Sequence, residues 1–113
     1  MSKGYYVTYE VVDYVHVINS ALNETRRRRA NIDPSTGTSL ERTAWEYCIA
    51  VEALYVHLIP ELRTARMREL LVRARKASGW EKVRLADQAL ELILEKLNQA
   101  GLLIRGERVE IEE

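Results

Sequence analysis

The stretch Leu40–Ile59, with the sequence LERTAWEYCIAVEALYVHLI, decides the fold of this chain. Apolar residues recur along it at spacings of three and four, which predicts one face of an α-helix. These residues are Leu40, Ala44, Tyr47, Cys48, Val51, Leu54, Tyr55 and Leu58. A second apolar stripe runs beside the first and consists of Trp45, Ile49, Ala53, Val56 and Ile59. Because a helix that is apolar on two faces is typical of a central position, we expect neighbours on both sides of it.

The composition indicates one globular domain over residues 1–113. Hydrophobic residues make up 47% of the chain and charged residues 30%, which is the balance of a folded domain. Lys plus Arg and Asp plus Glu number 17 each, so the whole chain exerts no net attraction on nucleic acid or on a membrane. The apolar stretch Leu40–Ile59 is interrupted by charged side chains, and the N-terminus lacks a signal-peptide pattern. We therefore expect a cytoplasmic protein without a membrane partner.

Three further helices are predicted around the central one. Helical spacing of apolar residues runs from about residue 9 to residue 30, after a segment 1–7 that is rich in β-formers and predicts a short strand or arm. Pro60 ends the central helix and opens a third helix over about 60–77. A fourth helix follows Ser78 and ends before Gly101, the residue expected to adopt a left-handed conformation. Its outer face carries Asp87, Glu91 and Glu95.

Short motifs define the element boundaries. The pairs Thr38 with Glu41 and Ser78 with Glu81 have the spacing of capping boxes at helix starts. The alternating residues 102–112 around Gly106 predict a β-hairpin. The sequence thus predicts a mainly α fold: a single-domain, up-down four-helix bundle with a small C-terminal β-hairpin.

The residue types needed for catalysis or metal binding do not form recognisable patterns. His16 and His57 each stand alone in an apolar run, and Cys48 lies in the middle of the central helix. A helical metal site usually pairs histidines four residues apart, so we predict no metal ligand and no cofactor. Since no phosphate loop or nucleophile motif is present, we also predict that the protein is not an enzyme.

The distribution of charge points to a binding function. Up-down packing would bring the ends of the first and third helices to the starts of the second and fourth, and it would leave acidic residues at the opposite end. Several cations would then gather at one end and bind nucleic-acid phosphates without strong sequence preference. These predicted binding residues are Arg26, Arg27, Arg28, Arg29, Arg73, Arg75, Lys76, Lys82 and Arg84.

Two alternatives to nucleic-acid binding stay open at the level of sequence. Cations at helix C-termini complement the helix dipole, which explains the arginines of the first and third helices but not Lys82 and Arg84 near a helix start. Alternatively, the charge-polarised ends and the surplus apolar width of the second and fourth helices would serve a protein-protein adaptor or a self-assembling structural subunit. The simplest such partner is a second copy of the chain, forming a homodimer.

Overall fold

The computed structural model describes residues 2–33 and 39–103, with side chains from residue 13 onward. It contains four α-helices: α1 (Ser2–Ala30), α2 (Leu40–His57), α3 (Ala65–Lys76) and α4 (Gly79–Gln99). A short 3-10 helix, Pro60–Leu62, lies between α2 and α3. The prediction of a mainly helical bundle is therefore confirmed. The predicted hairpin lies outside the described residues from position 104 onward.

The helix α2 is the centre of the bundle and packs against the other three helices. Two contacts show that α1 runs antiparallel to it: the Tyr14 hydroxyl donates to the His57 carbonyl at 2.9 Å, and at the other end Arg28 pairs with Glu46. The start of α4 lies beside the start of α2, where Gly79 approaches Glu41. Thus α2 and α4 run in the same direction, and α1 and α3 run against them.

The core lies where α2, α4 and the inner faces of α1 and α3 meet. Its largest fully buried side chains include Tyr47, Ile18, Leu54 and Ile93. Complete burial of one such aliphatic side chain contributes about 1.5–3 kcal/mol relative to its exposed state. The wide apolar face of α4 is used in this core, because it contacts both α2 and α3.

The ends of the helices can be compared with the sequence motifs that predicted them. Pro60 interrupts the helix as predicted and is the first residue of the 3-10 helix. The prediction that it opens the third helix is wrong, because α3 begins at Ala65. The Thr64 hydroxyl, which the sequence analysis did not single out, caps α3 by accepting from the Met67 amide at 3.2 Å. Gly101 has a φ of +72°, and the Leu102 amide donates to the Leu97 carbonyl at 2.9 Å, which completes a Schellman motif at the end of α4.

Several predicted boundaries differ from the structure. Residues 2–7 belong to α1 and form neither a strand nor an arm, because extending an existing helix is easier than nucleating a new element. Ser78 is the N-cap residue of α4, but its side chain makes no capping bond. The Glu81 carboxylate, the other half of the predicted capping box, is engaged by Arg84. At α2 the N-cap is Ser39, also without a side-chain cap, and Thr38 lies outside the described residues.

Candidate interaction surfaces

The cationic ends of α1 and α3 lie near the same half of α4. From α1, Arg29 reaches Asp87. At the end of α3, the carbonyl of Ala74 accepts a hydrogen bond from Lys82. Positions 82 and 87 of one helix are separated by about 7–8 Å along its axis, at 1.5 Å per residue.

The arginines at the end of α1 are mostly paired with carboxylates. Arg29 makes two bonds to Asp87, of 3.0 and 3.1 Å, and the hydrogen bond to this carboxylate raises the pKa of Arg29. Arg28 bridges Glu24 at 2.7 Å and Glu46 at 3.2 Å. Arg27 also pairs with Glu24, and its hydrogen bond is the main reason that the pKa of Glu24 is lowered.

The predicted cations of α3 and α4 are also largely occupied. Arg75 contacts Glu52 of α2 at 2.9 and 3.1 Å, and Arg84 contacts Glu81 at 2.6 Å. The Lys82 side chain is only 6% exposed. Its ammonium donates to the carbonyls of Ala74 and Arg75 at 2.7 and 3.1 Å, at the C-terminus of α3, where a cation also complements the helix dipole. Lys82 thus has a structural role and does not line an accessible surface.

In the part of the chain that the structure describes, three of the nine predicted binding residues keep an exposed charge without a salt bridge, although Arg73 is close enough to Glu81 to help lower the pKa of that carboxyl. Within the described parts of the chain, Arg26, Arg73 and Lys76 make no contact with a carboxylate that qualifies as a salt bridge. All three side chains are exposed. The free cationic surface is therefore smaller than the sequence predicts, because neighbouring acids neutralise most of the arginines.

The second apolar stripe of α2 is exposed, which corrects the prediction that both of its faces are covered. Trp45 is 57% exposed, Ile49 41% and Val56 63%, and Ala53 is exposed as well. The fully buried side chains of α2 point to the opposite side, where α4 packs. We call the row formed by Trp45, Ile49, Ala53 and Val56 the α2 ridge. Its neighbours α1 and α3 flank it but do not cover it.

Two grooves run along the sides of the α2 ridge. The groove between α2 and α3 has a volume of about 430 Å³. The groove between α1 and α2 has a volume of about 320 Å³. An ion pair borders each groove: Arg75 with Glu52 on the α3 side and Arg28 with Glu46 on the α1 side. The residues that line the larger groove are Glu52, Tyr55, Val56, Arg68, Leu71, Val72, Arg75 and Lys76.

A polar cluster around the buried Tyr47 joins three helices and was missed by the sequence analysis. The Tyr47 side chain is fully buried, and its hydroxyl donates to Asp87 at 2.5 Å. The guanidinium of Arg29 completes the cluster and lies 5.7 Å from the centre of the Tyr47 ring. Burial, followed by the hydrogen bond to Asp87, raises the pKa of Tyr47. Asp87, predicted on a solvated outer face, therefore connects α1, α2 and α4.

The remaining reactive residue types in the described chain are one buried cysteine and two exposed histidines. Cys48 is 2% exposed, and burial raises the pKa of its thiol. His16 and His57 are exposed and lie along one shallow groove between α1 and α2. Among residues 13–33 and 39–103, no cluster of three or more His, Cys, Asp or Glu side chains is placed to hold a metal ion. None of the described helices has the length and apolar character required to cross a membrane.

The α2 ridge with its two grooves and the small set of unpaired cations are thus the two candidate interaction surfaces. No family model, no curated protein and no solved structure matches this chain.

Proposed function

We propose that this chain is a protein-interaction module that binds a partner protein through the α2 ridge. The observation that carries the proposal is the exposure of Trp45, Ile49 and Val56 in a single row on one helix. With Ile59 and Val72, which are also about half exposed, the row presents roughly 400 Å² of apolar surface, taking about 100–200 Å² for each large side chain and counting only the exposed half of it. The largest apolar patch on a typical folded monomer covers about 300–600 Å² and is often functional, and the ridge falls in this range.

The borders of the α2 ridge also support an interface. Arg28 with Glu46 on one side and Arg75 with Glu52 on the other give the apolar row a polar rim. Protein interfaces combine an apolar centre with such a rim, and tryptophan is among the residues that contribute most to binding energy. Trp45 is therefore the expected anchor residue.

Site-specific photo-crosslinking tests this proposal. A photoreactive amino acid at Ile49 lies on the ridge, whereas the same amino acid at the exposed Glu91 of α4 is a matched control on another helix. We expect a discrete crosslinked protein product from position 49 and not from position 91, and we expect Trp45→Asp in the same chain to abolish it. Equal labelling from both positions, or labelling that survives Trp45→Asp, would refute the assignment of the ridge.

A second candidate function is binding to nucleic-acid phosphates. It is favoured by three exposed side chains that make no salt bridge within the described residues: Arg26, which precedes the last turn of α1, and Arg73 and Lys76 on the last turn of α3. A variant that tests phosphate binding should leave Arg28 and Arg29 in place, because replacing either of them also breaks an ion pair with α2 or α4. The informative variant replaces only the three unpaired cations by alanine.

The measurement for this second function is a titration with duplex and with single-stranded nucleic acid at low and at moderate salt. Each phosphate neutralised contributes about 0.7–0.9 to the slope of log affinity against log salt, so the triple variant should lose a slope of about 2–3. The variant Arg66→Ala, which removes a cation paired with Glu69 on α3, is the control. Absence of binding at low salt would eliminate this function.

A further inference from the structure

We infer that the protein bound by the α2 ridge is a second copy of this chain, with the two α2 helices antiparallel and each Trp45 seated in the α2/α3 groove of the other copy. This inference rests on the proposed function and names its partner. It is carried by the spacing of the ridge residues, by the shape of the larger groove, and by the area and charge of the face.

The spacing of the ridge suits a two-fold, antiparallel pair. Trp45 and Val56 lie equally far from the middle of the ridge, and so, within one residue, do Ile49 and Ala53. Antiparallel pairing therefore places the large Trp45 opposite Val56 of the second copy, and Ile49 opposite the small Ala53. A two-fold interface uses the same patch on both copies, so each of these contacts forms twice. Alternation of large and small residues across facing helices allows their side chains to interdigitate.

The groove between α2 and α3 provides a receptacle for the indole ring. Its volume of about 430 Å³ falls within the range of pockets that hold small organic groups. Val56 and Val72, 63% and 47% exposed, lie along it. Since Val56 is the residue that antiparallel pairing sets opposite Trp45, the register and the groove agree. Arg68 and Lys76 also line the groove, and cations near an indole face add a favourable electrostatic contact.

The area and the net charge of the face are compatible with a stable pair. If each copy contributes roughly 400 Å² of apolar surface and the apolar share of an interface is about 60%, the total buried area is about 1,300 Å². A specific interface needs about 1,000 Å² or more. The net charge of zero produces no overall repulsion between copies. Because Glu46 and Glu52 are already paired within their own copy, pairing leaves no uncompensated carboxylate at the borders of the ridge.

The first test is the mass of the intact chain in solution, measured by sedimentation equilibrium over a range of concentrations. We expect a reversible dimer, and we expect Trp45→Asp to weaken dimerisation by at least 30-fold, the effect of removing an interface anchor. Trp80→Asp is the matched control, because Trp80 is also about half exposed but lies on α4. Circular dichroism of both variants should show an unchanged helical content. A dimer that both variants weaken equally, or that neither affects, would overturn the inference.

The second test fixes the register by disulfide formation between copies. A tagged Ile49→Cys chain mixed with an untagged Ala53→Cys chain should give a crosslinked heterodimer. Ala53→Cys alone should crosslink far more slowly, because antiparallel pairing separates the two copies of position 53 by about 7–8 Å along the helix axis. Parallel pairing would reverse this order and refute the model. The native Cys48 adds little background, because it is buried and burial raises the pKa of its thiol.

The outcomes separate this inference from the proposed function. A chain that stays monomeric at millimolar concentration overturns the inference. If position 49 then still crosslinks to a different protein in a Trp45-dependent manner, the ridge is an interaction site and only the identity of its partner was wrong. If position 49 yields no product either, both proposals fall together.

Discussion

Replacing Asp87 by alanine is the sharpest test of how α1, α2 and α4 are held in register. In the native chain, Asp87 accepts a hydrogen bond from the buried Tyr47 hydroxyl at 2.5 Å and two from Arg29 at 3.0 and 3.1 Å. The substitution removes all three. It leaves a hydroxyl inside the protein without its acceptor and frees the guanidinium at the end of α1.

The two losses differ in size because the partners differ in burial. A buried hydroxyl left without a partner costs about 1–3 kcal/mol. The ion pair contributes less, about 0–1 kcal/mol, because the side chains of Arg29 and Asp87 are each 40% exposed and solvent screens them. We therefore expect Asp87→Ala to lower the free energy of unfolding by about 2 kcal/mol, most of it through Tyr47.

A double-mutant cycle with Tyr47→Phe isolates that contribution. In the Tyr47→Phe background no hydroxyl can lose its acceptor, so Asp87→Ala should lower the free energy of unfolding by only about 0–1 kcal/mol. The coupling energy between the two substitutions should then be about 1–2 kcal/mol. Urea denaturation followed by circular dichroism at pH 7 gives each value, with Glu69→Ala, an exposed member of a surface ion pair, as the control. Equal destabilisation by Asp87→Ala in both backgrounds would show that the buried hydroxyl does not depend on this carboxylate, and the reasoning would fail.

Three further predictions concern single residues. Lys82→Met keeps the buried stem but removes the donors to the last carbonyls of α3, so unfolding free energy should fall by about 1–3 kcal/mol and amide exchange should quicken in that turn. Gly101→Ala meets no atom within 4 Å of its new Cβ but must adopt a φ of +72°, so it should destabilise by about 1 kcal/mol; Gly101→Asn should lose less, since asparagine tolerates this conformation. Burial raises the pKa of Tyr47 above its ordinary value of 10.0, so its stabilising contribution is complete below about pH 10 and is lost as the pH rises further. Wild-type stability should therefore fall more steeply above pH 10 than that of Tyr47→Phe, as followed by alkaline denaturation.

The helices and the central position of α2 could be predicted because they depend on the spacing of apolar residues. The spacing of Leu54 and Val51 with their neighbours identifies a buried face, and Gly101 marks the end of α4 through its left-handed conformation. Such signals are local, so one sequence contains them. The helix boundaries were predicted less accurately, because a helix can extend through residues 2–7 despite their β-forming side chains.

The candidate surfaces were harder to predict because they depend on which helices meet. A second apolar stripe looks the same in sequence whether a neighbour covers it or not, and Trp45 and Val56 proved to be exposed. Likewise, the sequence does not reveal that Arg29 reaches Asp87, 58 positions away, or that the Lys82 ammonium binds α3. Charges that the tertiary fold pairs therefore appeared free in the sequence.

The contact pattern of α1 has a consequence for how the chain is made. This helix packs chiefly on α2, whereas α2, α3 and α4 follow one another closely and pack as three consecutive neighbours. During synthesis α1 leaves the ribosome first, yet the surface that shelters Ile18 and Leu22 does not exist until α2 has followed. We expect the later helices to collapse into a hairpin-like nucleus, with α1 docking onto it last and detaching from it first.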